Sequence, residues 1–175
     1  NARWDSVRIS EYNEILGFYG LSYWYAWQVS ILGLMPIWLG KNEALKHKAA
    51  GFLKEGGVFG FGLSEKEHGA DIYSTEMKLY RTQDGTYLAK GKKYYIGNGN
   101  CAKLISVFGK IDGSEDYVLF TVKTDHEKYK CLKQILTSGG HQCYVSEFEL
   151  DNYPITEADI ISCGQHAWNT ALNTV

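Results

Sequence analysis

The sequence predicts an α+β fold, in which N-terminal helices precede an antiparallel β-barrel or sandwich and the start of a further helix. Apolar residues recur with helical spacing before residue 58 and alternate with polar residues after it. The short apolar segments are separated by Asn-Gly, Asp-Gly or Gly-Gly pairs, which are typical of turns between antiparallel strands. Because helices and strands occur in separate blocks, an alternating parallel fold is disfavoured. We predict three regions, at 1–57, 58–155 and 156–175.

The first region contains a long uncharged run. No charged residue occurs from Ile15 to Gly40, which is long enough for a helix that spans a bilayer. Its glycines, together with Gln28 and Pro36, lower the mean hydropathy of the run. We therefore expect a buried helix pair that is apolar because it is covered on every side. A membrane-tethered form is the minority alternative.

A helix with well-defined ends is predicted after this run. Asn42 is a favourable N-cap, and Gly56-Gly57 ends the helix. Apolar residues at helical spacing form one stripe between these ends: Leu45, Ala49, Phe52 and Leu53. A second stripe begins after Gly164 and predicts the last helix: Ala167, Ala171, Leu172 and Val175.

The middle region is predicted to contain several short strands. Met77 and Leu79 alternate with polar neighbours, and Asp84-Gly85 is a strong hairpin signal before a strand at 86–89. Further strands are predicted at 94–96, 104–111, 117–122 and 147–150.

Composition limits the classes of partner and site. A net charge of −2 and a pI of 6.2 give no electrostatic reason to expect nucleic acid. The four cysteines form no C-x-x-C pair, so free thiols in a reducing compartment are the simplest interpretation. The sequence lacks P-loop, nucleophile-elbow and H-E-x-x-H motifs. His141 and Cys143 have no further ligand pair at zinc spacing, so no metal site is predicted.

Two segments are unusual for a small β-domain. The first signature segment, residues 61–71, reads Phe-Gly-Leu-Ser-Glu-Lys-Glu-His-Gly-Ala-Asp. The second signature segment, residues 91–99, reads Gly-Lys-Lys-Tyr-Tyr-Ile-Gly-Asn-Gly. On the residues alone, both are edge strands that continue into polar loops.

Together the two segments resemble those of the acyl-CoA dehydrogenase family. The first is similar to aromatic-x-aliphatic-T-E-P-x-A-G-S-D, and the second to N-G-x-K-x-W-I-T-N-G. Residues 36–53 resemble the helix that ends the family's N-terminal α-domain. Residues 139–161 resemble the stretch that leaves its β-domain, and residues 164–175 resemble the first turns of the next helix.

The resemblance implies an FAD site. Main-chain N–H groups of residues 61–64 would face the electron-rich part of reduced flavin. Tyr95 would lie against the ring in place of the family's Trp, and the loop at Gly69-Ala70 would approach the pyrophosphate. The implied cofactor-binding residues are Phe61, Leu63, Ser64, Gly69, Ala70, Tyr95, Ile96 and Gly97. Ser64 and Ala70 are also implied as substrate-binding.

Three departures from the family pattern affect this site. Ala70 replaces a Ser that bonds phosphate, and Lys66-Glu67 replace Pro and a small residue. Gly97 replaces the Thr whose hydroxyl faces N5, so that bond could come only from backbone N–H. Each lost hydrogen bond costs on the order of 1 kcal/mol, which weakens FAD binding without excluding it. The retained Glu65 and Asp71 are expected to cap N–H groups of the loop.

The implied reaction is FAD-dependent oxidation of an acyl-CoA thioester to the trans-2-enoyl-CoA. It needs a glutamate base, which is expected beyond Val175, so no catalytic residue is predicted in this chain. The implied partners are acyl-CoA, an electron-transfer acceptor for reduced flavin and further copies of the chain in a dimer or tetramer. The expected location is the cytoplasm, or the mitochondrial matrix in a eukaryote.

Two alternatives remain open from the sequence. The first is an acyl-CoA oxidase or flavin monooxygenase on the same scaffold, which the Gly97 departure motivates. The second is an inactive binding or assembly module, which the absent base and Ala70 motivate.

Overall fold

The computed structural model describes residues 5–140 and 142–175. Within them, three helices precede the sheet: α1 Ser6–Tyr19, α2 Leu21–Leu39 and α3 Glu43–Lys54. The strands are β1 Phe59–Gly62, β2 Lys78–Arg81, β3 Tyr87–Gly97, β4 Leu104–Ile111, β5 Tyr117–Val122, β6 Tyr129–Gln134, β7 Val145–Ile155 and β8 Ile160–Cys163. Helix α4 Gly164–Thr174 follows β8 directly, and short 3₁₀ helices occur at Ile72–Ser74 and Glu157–Asp159.

The described strands form one sheet in the order β6-β7-β3-β2-β4-β5-β8, and β1 pairs with β4 at one side of this path. Most neighbouring strands are antiparallel, which confirms the α+β prediction. Strand β4 differs, because it runs parallel to both β1 and β2. Parallel partners are joined by long connections, so no hairpin signal in the sequence announces them.

The sheet separates two apolar cores. Strands β2 to β7 all contribute to the inner core, so the sheet curls around it: Met77, Leu79, Ala89, Ile96, Ile105, Val107, Val118, Phe120, Val122, Tyr129, Phe148, Leu150, Tyr153 and Ile155. The helices cover the other face and share a second core with it: Ile37, Leu45, Ala49, Phe59, Phe61, Leu104, Phe108, Leu119, Ile161, Ala167 and Ala171. Strand β4 is buried on both faces, which explains its continuous apolar sequence.

Several predicted elements are confirmed. Strands β4 and β5 have the predicted bounds, and Arg81 pairs with Tyr87 across the Asp84-Gly85 turn. The Asn42 side chain accepts a hydrogen bond of 3.0 Å from the N–H of Leu45, as expected of an N-cap.

Two strands, β3 and β7, are longer than predicted, and two others were not predicted. The predicted strands at 86–89 and 94–96 are parts of one strand, β3, which begins at Tyr87, and 147–150 is the centre of the longer β7. Strands β6 and β8 were not predicted, because β6 is a lysine-containing edge strand and β8 has four residues before a helix. The boundaries at residues 57 and 155 stay a prediction, although β8 extends the sheet past the second of them.

The uncharged run forms the end of α1 and all of α2. The expectation of a helix pair covered on every side is wrong: α1 contains no buried residue, and α2 buries one face while Leu21, Tyr23 and Trp38 stay exposed. None of the helices in the described ranges is both long enough and apolar enough to cross a membrane.

Helix α2 packs directly on the backbone of β1. A Cβ atom at Gly33 would lie 2.6 Å from both the N and the O of Gly60, so only glycine fits without movement. The hydroxyl of Ser30 accepts the Phe59 N–H at 3.1 Å, and the hydroxyl of Ser106 donates to the Gly33 carbonyl at 2.7 Å. These contacts fix the height of α2 above the sheet.

Replacing Gly33 by alanine is therefore expected to lower the free energy of unfolding by about 1–3 kcal/mol, since the added methyl group forces α2 away from β1. Urea denaturation measures the change. Gly51→Ala is the matched control, because a Cβ at that exposed position in α3 meets no atom within 4 Å. The control should be neutral or stabilising by up to about 1 kcal/mol. Equal effects of the two substitutions would contradict the close contact.

Candidate functional site

The two signature segments lie side by side. The Tyr94 N–H donates to the Ser64 carbonyl at 3.0 Å, and the Ser64 hydroxyl donates to the Tyr94 carbonyl at 2.8 Å. A Cβ atom at Gly60 would lie 2.9 Å from the Gly97 carbonyl oxygen, so the two strands also approach closely further along. The end of β1 and the end of β3 therefore form one continuous surface.

A β-bulge interrupts β3 at the centre of the second signature segment. The register with β7 shifts between Lys93 and Ile96, and Tyr95 adopts a left-handed backbone conformation with φ of 64°. Bulges turn side chains away from their regular direction and are common at functional sites. Here the bulge leaves Tyr95 about half exposed between the buried side chains of Lys93 and Ile96.

Asn98 joins this segment to α2 and β1. Its side chain is fully buried, and the amide Nδ2 donates to the carbonyl oxygens of Ala26 and Phe59, both at 2.9 Å. Its backbone is left-handed with φ of 59°, which asparagine tolerates better than most residues. One side chain thus connects a helix with the two strands of the site.

A buried ion pair between Lys93 and Glu65 stabilises the first signature segment. The Lys93 ammonium lies 2.7 Å from Glu65 Oε1 and 2.9 Å from the Leu63 carbonyl oxygen. The other Glu65 oxygen accepts the Glu76 N–H at 2.8 Å, and Oε1 also accepts the Met77 N–H at 3.2 Å. The expectation that Glu65 and Asp71 cap N–H groups of the loop is confirmed for Glu65 and wrong for Asp71, whose carboxylate accepts the Ser74 hydroxyl.

The environment shifts the pKa of both partners. Burial lowers the pKa of Lys93 to about 8, although Glu65 favours its charged form. Burial raises the pKa of Glu65, but the Lys93 ammonium and the hydrogen bonds to the carboxylate outweigh this and leave its pKa below the usual value. At neutral pH the pair is therefore ionic.

A partly open cavity of 300 Å³ adjoins the bulge. Its walls are mostly apolar and come from α2, the bulge and the segment before β7: Leu21, Trp24, Tyr25, Tyr95, Thr137, Gly139, Gly140, Cys143 and Val145. Gly97 does not line the cavity itself, and Val29 and Tyr25 of α2 occupy the space next to its Cα.

The predicted site residues fall into three groups. Ser64 bonds to Tyr94, the neighbour of Tyr95, and Gly97 lies further along the junction, where it approaches Gly60. Phe61 and Ile96 are buried in the two cores, so only their backbone can face a ligand, and Leu63 is half-buried. Gly69 and Ala70 lie in the exposed loop between β1 and β2, and their approach to a phosphate stays a prediction.

Three residues of the site were not predicted: Tyr25, Lys93 and Asn98. Lys93 could have been found, because it shares the inward phase of Ala89 in a strand of period two. Asn98 precedes a glycine, which indicated only a turn. Nothing in the sequence pairs Tyr25 with Gly97, since packing between distant segments decides this contact.

Possible metal ligands occur at one place in the described ranges. Atoms of Glu65, His68 and Glu76 lie within 4.8 Å of one another. The Glu65 carboxylate is already bonded to an ammonium and to backbone N–H groups, so this group does not require a cation. His141, considered above with Cys143, lies outside the described residues.

Comparison with known proteins identifies the family. The family described as "Acyl-CoA dehydrogenase, middle domain" matches residues 60–153, which is more than half of the chain. The short-chain specific acyl-CoA dehydrogenase of Megasphaera elsdenii is 38% identical over 81 residues, which cover 46% of this chain and 21% of that protein.

Solved structures agree in fold. Acyl-CoA dehydrogenase of Bacillus anthracis, complexed with FAD, has a TM-score of 0.81 and 22% identity over 87% of this chain and 26% of its own. Butyryl-CoA dehydrogenase of Megasphaera elsdenii has a TM-score of 0.80 and 20% identity over 87% of this chain and 41% of its own. The matched parts of this chain thus cover between 21% and 41% of the length of these relatives. The chain belongs to the acyl-CoA dehydrogenase family.

Proposed function

We propose that this chain supplies the FAD-binding β-domain of an enzyme that oxidises an acyl-CoA thioester to the trans-2-enoyl-CoA. The observation that carries the proposal is the hydrogen-bonded junction of the two signature segments, where Tyr94 and Ser64 exchange two bonds beside an aromatic cavity. Membership of the family supports the same reaction class.

The residues at the cavity suit the ring system of FAD. Trp24, Tyr25 and Tyr95 present flat apolar surfaces, against which an aromatic ring packs well. Small-molecule sites have volumes from about 300 Å³ upward, so the cavity matches a ring system and not a whole dinucleotide. The remainder of the cofactor would follow the surface of the strands and loops.

Each segment has a separate part in this proposal. Main-chain N–H groups of residues 61–64 stabilise negative charge on the ring, as preorganised dipoles do for any developing anion. The Ser64 hydroxyl already donates to Tyr94, so it can serve a ligand only as an acceptor unless that bond opens. Tyr95 covers the ring and excludes water. The backbone at Gly69-Ala70 binds the pyrophosphate.

The chemistry needs groups beyond those described. When bound, FAD supplies the acceptor for the hydride of the substrate β-carbon. We assign the removal of the α-proton to a glutamate beyond Val175. We also propose an electron-transfer acceptor, assembly into a dimer or tetramer, and a cytoplasmic or mitochondrial-matrix location.

The test uses the natural protein at its full length. FAD added to the apoprotein should bind with 1:1 stoichiometry, and acyl-CoA should bleach the flavin absorption and yield enoyl-CoA. Failure to bind FAD would support the assembly-module alternative. Bleaching that reverses in air with stoichiometric hydrogen peroxide would identify an oxidase, the alternative that Gly97 motivates.

Replacing Tyr95 by alanine is expected to weaken FAD binding about fivefold or more, since an aromatic contact contributes on the order of 1 kcal/mol beyond its buried area. Tyr95→Phe is the matched control, because it retains the ring and removes the hydroxyl. Fluorescence titration of the apoproteins with FAD gives both dissociation constants. If alanine and phenylalanine bind FAD equally well, Tyr95 does not cover the ring.

A further inference from the structure

The hydroxyl group of Tyr25 occupies the space that a side chain at position 97 would need. A Cβ atom at Gly97 would lie 2.9 Å from Tyr25 Oη and 2.7 Å from Val29 Cγ2. Tyr25 and Val29 lie on α2, one turn apart, whereas Gly97 is the last residue of β3. A helix residue therefore places a hydroxyl where the strand has no side chain.

The Tyr25 side chain also lines the aromatic cavity, together with Tyr95 and Cys143. The hydrogen bonds within residues 5–140 and 142–175 include none from its hydroxyl, so its donor is available to a ligand. Burial raises the pKa of Tyr25, and Cys143 and Tyr95 raise it further. The hydroxyl is therefore protonated at neutral pH and can donate.

The position of Tyr25 is fixed by the site itself. The next residue, Ala26, accepts a hydrogen bond of 2.9 Å from the buried Asn98 amide through its carbonyl oxygen. The Ser30 hydroxyl, which donates to the same carbonyl at 2.8 Å, also accepts the Phe59 N–H of β1. This part of α2 is thus tied to both strands of the junction, which holds the backbone that carries Tyr25 beside Gly97.

We propose that the Tyr25 hydroxyl donates a hydrogen bond to the ring system of bound FAD, from the space left by Gly97. The inference rests on the proposed function, because it requires FAD in the cavity. It adds a side-chain donor at a position where the β-strand offers only backbone N–H. A single polar donor in a mostly apolar wall orients a ligand, as is typical of small-molecule sites.

The test compares Tyr25→Phe with Tyr23→Phe in the natural protein. Both substitutions remove one hydroxyl from α2, but the Tyr23 side chain is 65% exposed and does not line the cavity. Tyr25→Phe should weaken FAD binding about fivefold, the effect of one ordinary hydrogen bond. It should also shift the midpoint potential of the bound flavin, since the bond differs in strength between the oxidised and reduced ring. Tyr23→Phe should change neither quantity.

The outcomes separate this inference from the proposed function. If the natural protein binds FAD and Tyr25→Phe matches it in affinity and potential, the inference is wrong and the proposed function stands. If Tyr25→Phe lowers the thermal midpoint of the apoprotein but leaves the potential unchanged, Tyr25 is a packing residue and the inference is wrong. If the natural protein does not bind FAD, both are wrong.

Discussion

Replacing Lys93 by methionine is expected to lower the free energy of unfolding by about 3–5 kcal/mol, because one partner of a buried ion pair is removed. The Lys93 side chain is fully buried, and its ammonium contacts both Glu65 and the Leu63 carbonyl oxygen. Without it, the Glu65 carboxylate stays in the interior with no compensating charge. Urea denaturation, with the slope and midpoint analysed separately, measures the loss.

Lys92→Met is the matched control for this prediction. The Lys92 ammonium lies 3.8 Å from Glu149 on the surface, where an ion pair contributes about 0–1 kcal/mol. A second variant, Lys93→Met with Glu65→Gln, removes the unpaired charge and should recover part of the stability. Equal stabilities of the two single variants would contradict the structural role of the pair.

The pH dependence of the free energy of unfolding tests the same Lys93–Glu65 ion pair. Burial lowers the pKa of Lys93 in the folded protein from 10.5 to about 8. Between these values the unfolded chain binds more protons at this site than the folded chain, so the Lys93 contribution to stability rises with pH. The stability difference between the natural protein and Lys93→Met should therefore increase from about pH 8 to pH 10.5. A difference that is flat or falls over this range would contradict the assigned shift.

Replacing Asn98 by alanine is expected to lower the free energy of unfolding by about 2–4 kcal/mol, since the hydrogen bonds of a fully buried amide to two carbonyl oxygens are lost. These oxygens belong to Ala26 of α2 and Phe59 of β1, so the change removes one of the links between the helix and the strand. Because α2 also carries Trp24 and Tyr25, we expect weaker FAD binding in the same variant. Urea denaturation and FAD titration measure the two effects.

Asn152→Ala is a close control for this variant. Asn152 is exposed, and its backbone is left-handed with φ of 55°, close to the 59° of Asn98. The backbone strain that alanine introduces is therefore similar at both positions. The excess cost at Asn98 reports the contribution of its buried amide and the hydrogen bonds that it makes, and an excess near zero would mean that they do not stabilise the fold.

Local signals in the sequence were sufficient for much of the fold. The Asn42 cap, the Asp84-Gly85 turn and the bounds of β4 and β5 all depend on neighbouring residues. Strands β6 and β8 were not predicted, because pairing with neighbouring strands, and not their own sequence, makes them strands. The parallel pairs of β4 depend on where distant segments meet, which no periodicity encodes.

The candidate site, like the fold, could be predicted from the sequence only in part. The two signature segments were found by resemblance, and their adjacency follows from the fold. Lys93, the partner of Glu65, was overlooked although it keeps the inward phase of Ala89, because lysine is rarely buried unless it is paired. Tyr25 was not predicted as a site residue, because its role depends on the space beside Gly97, which lies 72 positions away in the chain.

The bulge in β3 adds one residue to the strand. Lys93 and Ile96 both point inward although three positions apart, with Tyr94 and Tyr95 between them. Strand β7 advances only two positions over the same stretch, from Phe148 to Ser146, so β3 carries one extra residue. Deleting either tyrosine would leave two positions against two, and β3 would become a regular strand with Ile96 still inward and the half-exposed bulge residue lost. The extra residue therefore serves the side chain that the bulge presents beside the cavity, and the packing of the sheet does not depend on it.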